Sequence, residues 1–359
     1  MTSVPSSDGL SRRRVLRTAV TASAAGTAAL LGSTPAFAAP TRSAGARRLP
    51  PDRTELTGAL NQQSAVRTLR VGDTRFTYIV DGAMELSATG FFPAIPADYW
   101  AAHPEALTAD GGIAASVGGV LVERGRRKLL IDVGLGANVL SPAFGRSQGG
   151  ALLSTLRRLD VDPSEIDTVA FTHLHTDHTG VGFTPDRHGE LRRAFPRAVY
   201  RVAALEWEPF WLKEVPLGAP SWNGFMVPMS GIRQTFGDGE EVWPGTTTLI
   251  TPGHSPGHTT YAVSTSDGRR VLVLGDAFHT PAQITHPDWS SHPDVDVADV
   301  LHARTRLLGE LAKPRTLGFA FHFGDRAFGR TVTDPAGQVQ WEPVPARRLL
   351  PPPIELSDV

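Results

Sequence analysis

The amino-acid sequence predicts an α/β fold built as an αββα sandwich, with two sheets inside and helices outside. Three observations predict it. Short runs of β-branched and aromatic residues, bounded by turn residues, alternate with stretches of helical periodicity. The alternation falls into two halves, and strands in each half end in His or Asp. With 359 residues, 41% of them hydrophobic, the chain can cover the faces of two sheets.

The elements follow in order. Arg75–Val80 and Gly119–Glu123 read as strands, and Lys128–Val133 as a third, joined by a hairpin turn at Arg124-Gly125-Arg126-Arg127. Leu152, Leu153, Leu156 and Leu159 share one helical face. Further strands are expected at Thr168–Phe171, Ala198–Val202, Thr247–Ile250, Thr260–Ser264 and Val271–Leu274. Val297–Leu311 reads as a helix, Thr316–Phe321 as a buried strand and Val339–Val344 as a final strand. The 36 Gly and 29 Pro predict many turns between them.

The first residues read as an address label. Ser11-Arg12-Arg13-Arg14-Val15-Leu16-Arg17 precedes a soft apolar run from Thr18 to Leu31, and Ala36-Phe37-Ala38 makes an A-x-A cleavage pattern. Paired Arg12 and Arg13 before Val15 and Leu16 resemble a twin-arginine (Tat) export signal. The run falls short of the roughly 20 apolar residues of a membrane span, so no stable anchor is expected after cleavage. Secretion or another extracytoplasmic location follows, with the Tat machinery as a partner.

Composition narrows the chemistry. Removing residues 1–38 leaves 31 basic against 35 acidic side chains, so nucleic acid is not an expected partner. There are no cysteines, which excludes disulfides and thiolate ligands. A metal site here must use His, Asp, Glu and water, which suits zinc, iron or manganese.

The strongest signal is Thr172-His173-Leu174-His175-Thr176-Asp177-His178, four ligand-type side chains within six residues after a predicted buried strand. One ion cannot readily use all four, so the spacing points to two adjacent metals. Three further segments place ligand types at strand ends: His254 in Thr251-Pro252-Gly253-His254, Asp276 in Gly275-Asp276, and His322.

Together these residues resemble the metallo-β-lactamase superfamily over residues 66–345. The resemblance implies an enzyme, a hydrolase with two divalent metal ions per chain, zinc being the expected ion, and a small-molecule substrate. His173, His175 and His254 would hold the first ion, Asp177, His178 and His322 the second, and Asp276 and a hydroxide would bridge them. Asp177 is the candidate catalytic residue, moving a proton. The domain division is then an export signal at 1–38, a linker or N-terminal arm at 39–65, the hydrolase domain at 66–345 and a tail at 346–359. A homodimer is allowed.

Within the superfamily, Asp276 points away from true β-lactamases, which generally lack the bridging aspartate. Thr251-Pro252-Gly253-His254-Ser255-Pro256-Gly257-His258 resembles both the N-acyl homoserine lactonases and the methyl parathion hydrolase group. The lactonases typically carry a tyrosine three residues after the bridging aspartate, where this chain has His279. Gly257 to Tyr261 fits the methyl parathion hydrolase group, whereas Phe323-Gly324-Asp325-Arg326 replaces that group's Pro-Gly loop.

Small hydrophobic esters, lactones or phosphotriesters are the expected substrates. An N-acyl homoserine lactonase and a non-enzymatic exported metal-binding protein are the alternatives. For the substrate pocket the sequence offers His279, Trp211, Trp222, Phe91 and Phe92. Asp132 and His258 are expected to support the ligands from behind.

Overall fold

The computed structural model describes residues 65–350, apart from 109 and 216. The export signal and all but the last residue of the arm lie outside the described residues. In chain order the strands are β1 (Val66–Val71), β2 (Thr74–Leu86), β3 (Ile113–Arg124), β4 (Arg127–Ile131), β5 (Gly145–Gln148) and β6 (Thr168–Ala170). Then come β7 (Phe183–Pro185), β8 (Leu191–Arg193), β9 (Val199–Ala203), β10 (Arg233–Phe236), β11 (Glu241–Trp243) and β12 (Thr246–Ile250). The last six are β13 (Thr259–Ser264), β14 (Arg270–Val273), β15 (Thr316–Phe319), β16 (Phe328–Thr333), β17 (Val339–Pro343) and β18 (Arg347–Leu350).

These strands make two large sheets. One runs β10-β9-β6-β4-β3-β2-β1-β18, with β5 added on β2; the other runs β11-β12-β13-β14-β15-β16-β17. Side chains alternate between the two faces of a strand. In β3, Val120 and Val122 enter the core between the sheets while Leu121 faces outward. In β14, Val271 and Val273 point inward and Leu272 outward. Outward residues of the first sheet are covered by Leu152 and Leu156 of the helix Leu152–Arg158. Those of the second meet Leu307 and Leu311 of the helix Val297–Leu311. Four layers result, α/β/β/α, because both faces of both sheets are apolar.

The helix Val297–Leu311 shows why a sequence reading finds such an element. Asp296 accepts the backbone N–H groups of Ala298 and Asp299 at its start, and Val300, Ala303, Arg304, Leu307 and Leu311 form its buried stripe. Asp296→Ala would remove about 1 kcal/mol of that cap.

Several boundaries differ from the sequence reading. β2 and β3 run well beyond Arg75–Val80 and Gly119–Glu123, because the strands continue past a register shift between Val80 and Gly82. Small residues there carry little strand propensity but pair along the whole length. Residues 347–350, read as part of the tail, form β18 and pair antiparallel with β1. That pairing joins the two ends of the described chain, and local periodicity carries no trace of it.

Candidate metal centre

The histidine cluster leaves β6 at Ala170 and turns at once. Thr172 N–H donates to Asp132 Oδ1 at 2.8 Å, and Leu174 N–H donates to Glu206 Oε1 at 2.9 Å. Two buried carboxylates thus pin alternate residues of the loop and hold His173 and His175 between them. A one-turn helix, Thr176–Thr179, then carries Asp177 and His178. Two glycines set the remaining ligands. Gly253 has φ of 127°, and a Cβ there would lie 2.2 Å from the Val300 nitrogen. Gly275 has φ of 58°, and a Cβ there would lie 2.4 Å from His258 Nε2. Only glycine fits such close approaches, immediately before His254 and Asp276.

The seven side chains named from the sequence come together. Ligand atoms of His173, His175 and His254 lie within 4.8 Å of one another, as do those of Asp177, His178, Asp276 and His322. Asp276 stands between the two sets. Its Oδ2 is 3.1 Å from His322 Nε2, 3.6 Å from His254 Nε2 and 3.9 Å from His173 Nε2. Its Oδ1 is 3.2 Å from His178 Nε2. A third set, His254, Asp276 and His279, meets the same spacing.

The two sets differ in charge. Burial, reinforced by His178 and His175, holds His173 well below its ordinary pKa. Burial also takes His175 down to about 3 and His254 to about 4, so these rings are neutral. At His178 burial acts in the same direction, but Asp276, Asp177 and Asp132 outweigh it and raise the ring well above its usual value. His322 is raised too: Asp276 and Asp177 overcome its burial.

These residues fit divalent cations. His173 Nε2, His178 Nε2 and Asp276 Oδ1 are buried without a hydrogen-bond partner. His175 Nδ1 and His254 Nε2 face each other at 2.9 Å, while His254 Nδ1 is taken by Asp294 Oδ1 at 2.9 Å. Buried polar atoms left unpartnered in this way are costly unless a cation satisfies them.

The supporting groups are equally definite. Asp132 Oδ2 lies 2.7 Å from His178 Nδ1. His258 acts through the backbone: its Nε2 accepts the Asp276 N–H at 2.9 Å, and its Nδ1 lies 3.1 Å from the Thr251 carbonyl. His322 Nδ1 lies 2.9 Å from the Ser116 carbonyl, which turns Nε2 toward Asp276. Sequence reading missed Asp81, Glu206 and Asp294. Asp81 accepts backbone N–H groups of Leu135, Gly136 and Leu152. Asp294 also faces the buried Arg304 at 3.4 Å.

A cavity of about 50 Å³ opens onto this floor, walled by Met84, Phe91, Leu140, Phe144, Leu217 and Pro293, with Asp177 and His279 at its base. Of the pocket residues expected from the sequence, Phe91 and His279 line it. Phe92, Trp211 and Trp222 do not. Phe92 is fully buried behind Phe91 against Trp100, 5.8 Å away. Trp211 stacks between Trp207 (5.6 Å) and Trp222 (4.8 Å), and Lys213 sits 4.4 Å over the Trp222 ring. The aromatic faces are spent on one another and on cations.

With this geometry in view, comparisons with known proteins place the chain. The model of a family described as the metallo-beta-lactamase superfamily matches residues 119–318. The N-acyl homoserine lactonase AttM of Agrobacterium fabrum is 28% identical over 154 residues, 40% of this chain and 52% of the relative. The N-acyl homoserine lactonase of Bacillus cereus is 28% identical over 173 residues, 45% of this chain and 63% of the relative. The chain spans about half the length of the first of these. Among solved structures, the hydrolase AbOPH of the beta-lactamase superfamily superposes with a TM-score of 0.66 at 23% identity, covering 79% of this chain and 99% of that one. AidC, a dizinc quorum-quenching lactonase, gives a TM-score of 0.66 at 21% identity over the same shares. These two likenesses concern the fold.

Proposed function

Because the chain belongs to the metallo-β-lactamase superfamily, we propose that it is a hydrolase holding two divalent ions, zinc by preference, and cleaving small hydrophobic esters, lactones or phosphotriesters. The observation that carries this reading is Asp276 between two sets of buried ligand atoms at the base of an apolar cavity. His173, His175 and His254 would hold one ion; Asp177, His178 and His322 would hold the other; Asp276 would serve both. When bound, two such ions bring the pKa of water toward neutrality and polarise a carbonyl or phosphoryl oxygen.

The chain's own residues supply the rest. Phe91, Phe144, Leu140 and Met84 seat an apolar group and exclude bulk water beside the reacting bond. Asp177 lies at the cavity base, where its carboxylate can take a proton from the attacking water and return it to the leaving oxygen. Asp294 and Asp132 fix the rings of His254 and His178 so that Nε2 points inward.

The curated relatives favour a second, narrower reading, an N-acyl homoserine lactonase. The Arg12-Arg13 signal supports export as the setting for either. The test is a panel of carboxyl esters, lactones and aryl phosphotriesters incubated with the zinc-loaded protein, with released acid titrated. Turnover is expected on at least one class and is abolished in folded Asp177→Asn and His254→Ala. Full activity in either variant sinks the mechanism, and no acid from any lactone removes the lactonase reading.

A further inference from the structure

A second cavity, of about 170 Å³, shares no lining residue with the one over the metal centre. Four separate segments enclose it. Tyr99 and Trp100 come from the helix Ala97–Ala102, and Thr280 and Thr285 from the chain just after His279. Arg326 ends the one-turn helix Gly324–Arg326, and Gln340 and Trp341 lie on β17. The volume suits one small ring, since about 150 Å³ of cavity admits benzene. Tyr99, Trp100 and Trp341 supply the flat apolar walls that such a ring packs against.

The polar part of the lining is one-sided. No Asp or Glu lines the cavity, whereas Arg326 does. Its guanidinium makes no hydrogen bond or ion pair with any described residue. Its backbone is fixed, because Trp341 Nε1 donates to the Arg326 carbonyl at 2.7 Å. Trp100 is 5% exposed, and its indole N–H is buried without a partner. Gln340 Oε1 accepts the Thr285 hydroxyl at 3.0 Å, which leaves the amide nitrogen as the donating end. One of its hydrogens faces Asp334 Oδ2 at 3.4 Å, and the second has no acceptor among the described residues. A half-buried cation beside unpaired donors is costly until an anion joins them. A carboxylate matches a guanidinium best, through two parallel N–H···O bonds.

We infer that this cavity is a second ligand site, for a small aromatic carboxylate, with Arg326 as the anchor and Tyr99, Trp100 and Trp341 around the ring. The site takes no part in bond cleavage and does not rest on the hydrolase reading above. It does share a wall with the metal centre. Thr280 follows His279 directly, and Gln283 in the helix Ala282–Thr285 accepts the His279 backbone N–H at 2.7 Å.

Benzoate is the probe, titrated into the zinc-loaded protein and followed through the indole N–H signals by proton–nitrogen NMR. Trp100 and Trp341 should shift saturably with a Kd of about 1 mM or tighter, while Trp211 and Trp222 stay unmoved. Benzamide, neutral and of the same shape, should bind at least about tenfold more weakly. Arg326→Gln should lose at least about tenfold in benzoate affinity with zinc content unchanged. Thr285→Phe, which fills the cavity, should abolish the shifts and stands in if Arg326→Gln does not fold. Benzoate bound only at the zinc ions with Trp100 and Trp341 unmoved, equal affinity for benzamide, or wild-type affinity in the folded variant each overturns the inference. No readout here depends on turnover, so failure of the hydrolase reading is seen separately, in the substrate panel.

Discussion

His178 Nδ1 lies 2.7 Å from Asp132 Oδ2, a contact in which the ring donates and the carboxylate accepts. The same oxygen accepts the Thr172 hydroxyl at 2.7 Å, and Thr172 Oγ1 is 3.0 Å from His173 Nδ1. One carboxylate therefore orients an imidazole in each ligand set. Asp132 sits at φ of 60°, a left-handed conformation that Asp and Asn tolerate better than other side chains.

That tolerance makes Asp132→Asn a clean test. The backbone turn is retained, but an amide places hydrogens where Thr172 and His178 now find an acceptor. Zinc affinity should fall by about 10- to 100-fold with the far-UV circular dichroism unchanged. Competition against a chromophoric chelator measures it. An affinity equal to wild type would show that the rings hold their direction without Asp132.

Glu206 provides a pH dependence. Burial, the dominant influence, lifts its carboxyl from the ordinary 4.5 to about 7, against hydrogen bonds from Leu174, Ser255 and Gly257. A raised carboxyl pKa means the folded protein binds the proton more tightly than the unfolded chain. The resulting stability is fully present below about pH 4.5 and is lost as pH rises through about 7, roughly 3 kcal/mol in all. Denaturant unfolding of wild type and Glu206→Gln at fixed zinc excess isolates it. The stability difference between them should shift by that amount against wild type over this range; a constant difference contradicts it.

What could be read from the sequence divides along the same physical line. His173, His175, Asp177 and His178 are close in sequence, and His254, Asp276 and His322 each follow an apolar strand, so local pattern was enough to place them. Asp81, Glu206 and Asp294 are single acids whose partners lie far along the chain, and no local pattern marks a buried carboxylate. Trp211 and Trp222 show the opposite failure. Their sequence context suggests a pocket, but composition does not say that Lys213 and neighbouring rings occupy their faces. β18 was hidden for a related reason: its partner β1 is at the other end of the described chain.

Asp294 links the metal centre to stability. It bonds His254 Nδ1 at 2.9 Å and lies 3.4 Å from the guanidinium of Arg304, which is fully buried. Asp294→Asn removes the carboxylate that pairs with the buried arginine charge. A loss of about 3–5 kcal/mol is expected in denaturant unfolding, with weaker zinc binding alongside. Unfolding at the wild-type midpoint would mean that the carbonyls of Ala277, Pro287 and Trp289, which Arg304 also reaches, suffice to hold it.

Phe91 and Trp222 separate the wall of the cavity from the aromatic stack beside it. Phe91 lines the cavity and braces His279, so Phe91→Ala should raise KM through lost apolar contact and lower kcat as the ring beside it loosens. Trp222 meets Trp211 and Lys213 and does not line the cavity. Trp222→Ala should leave kcat/KM within about twofold while removing roughly 1–2 kcal/mol of stability from the lost stacking and cation–π contacts. Steady-state kinetics on the best substrate of the panel, with unfolding curves for both variants, decides the matter. A fall in kcat/KM for Trp222→Ala matching that of Phe91→Ala would mean that the segment around Trp222 reaches the substrate after all.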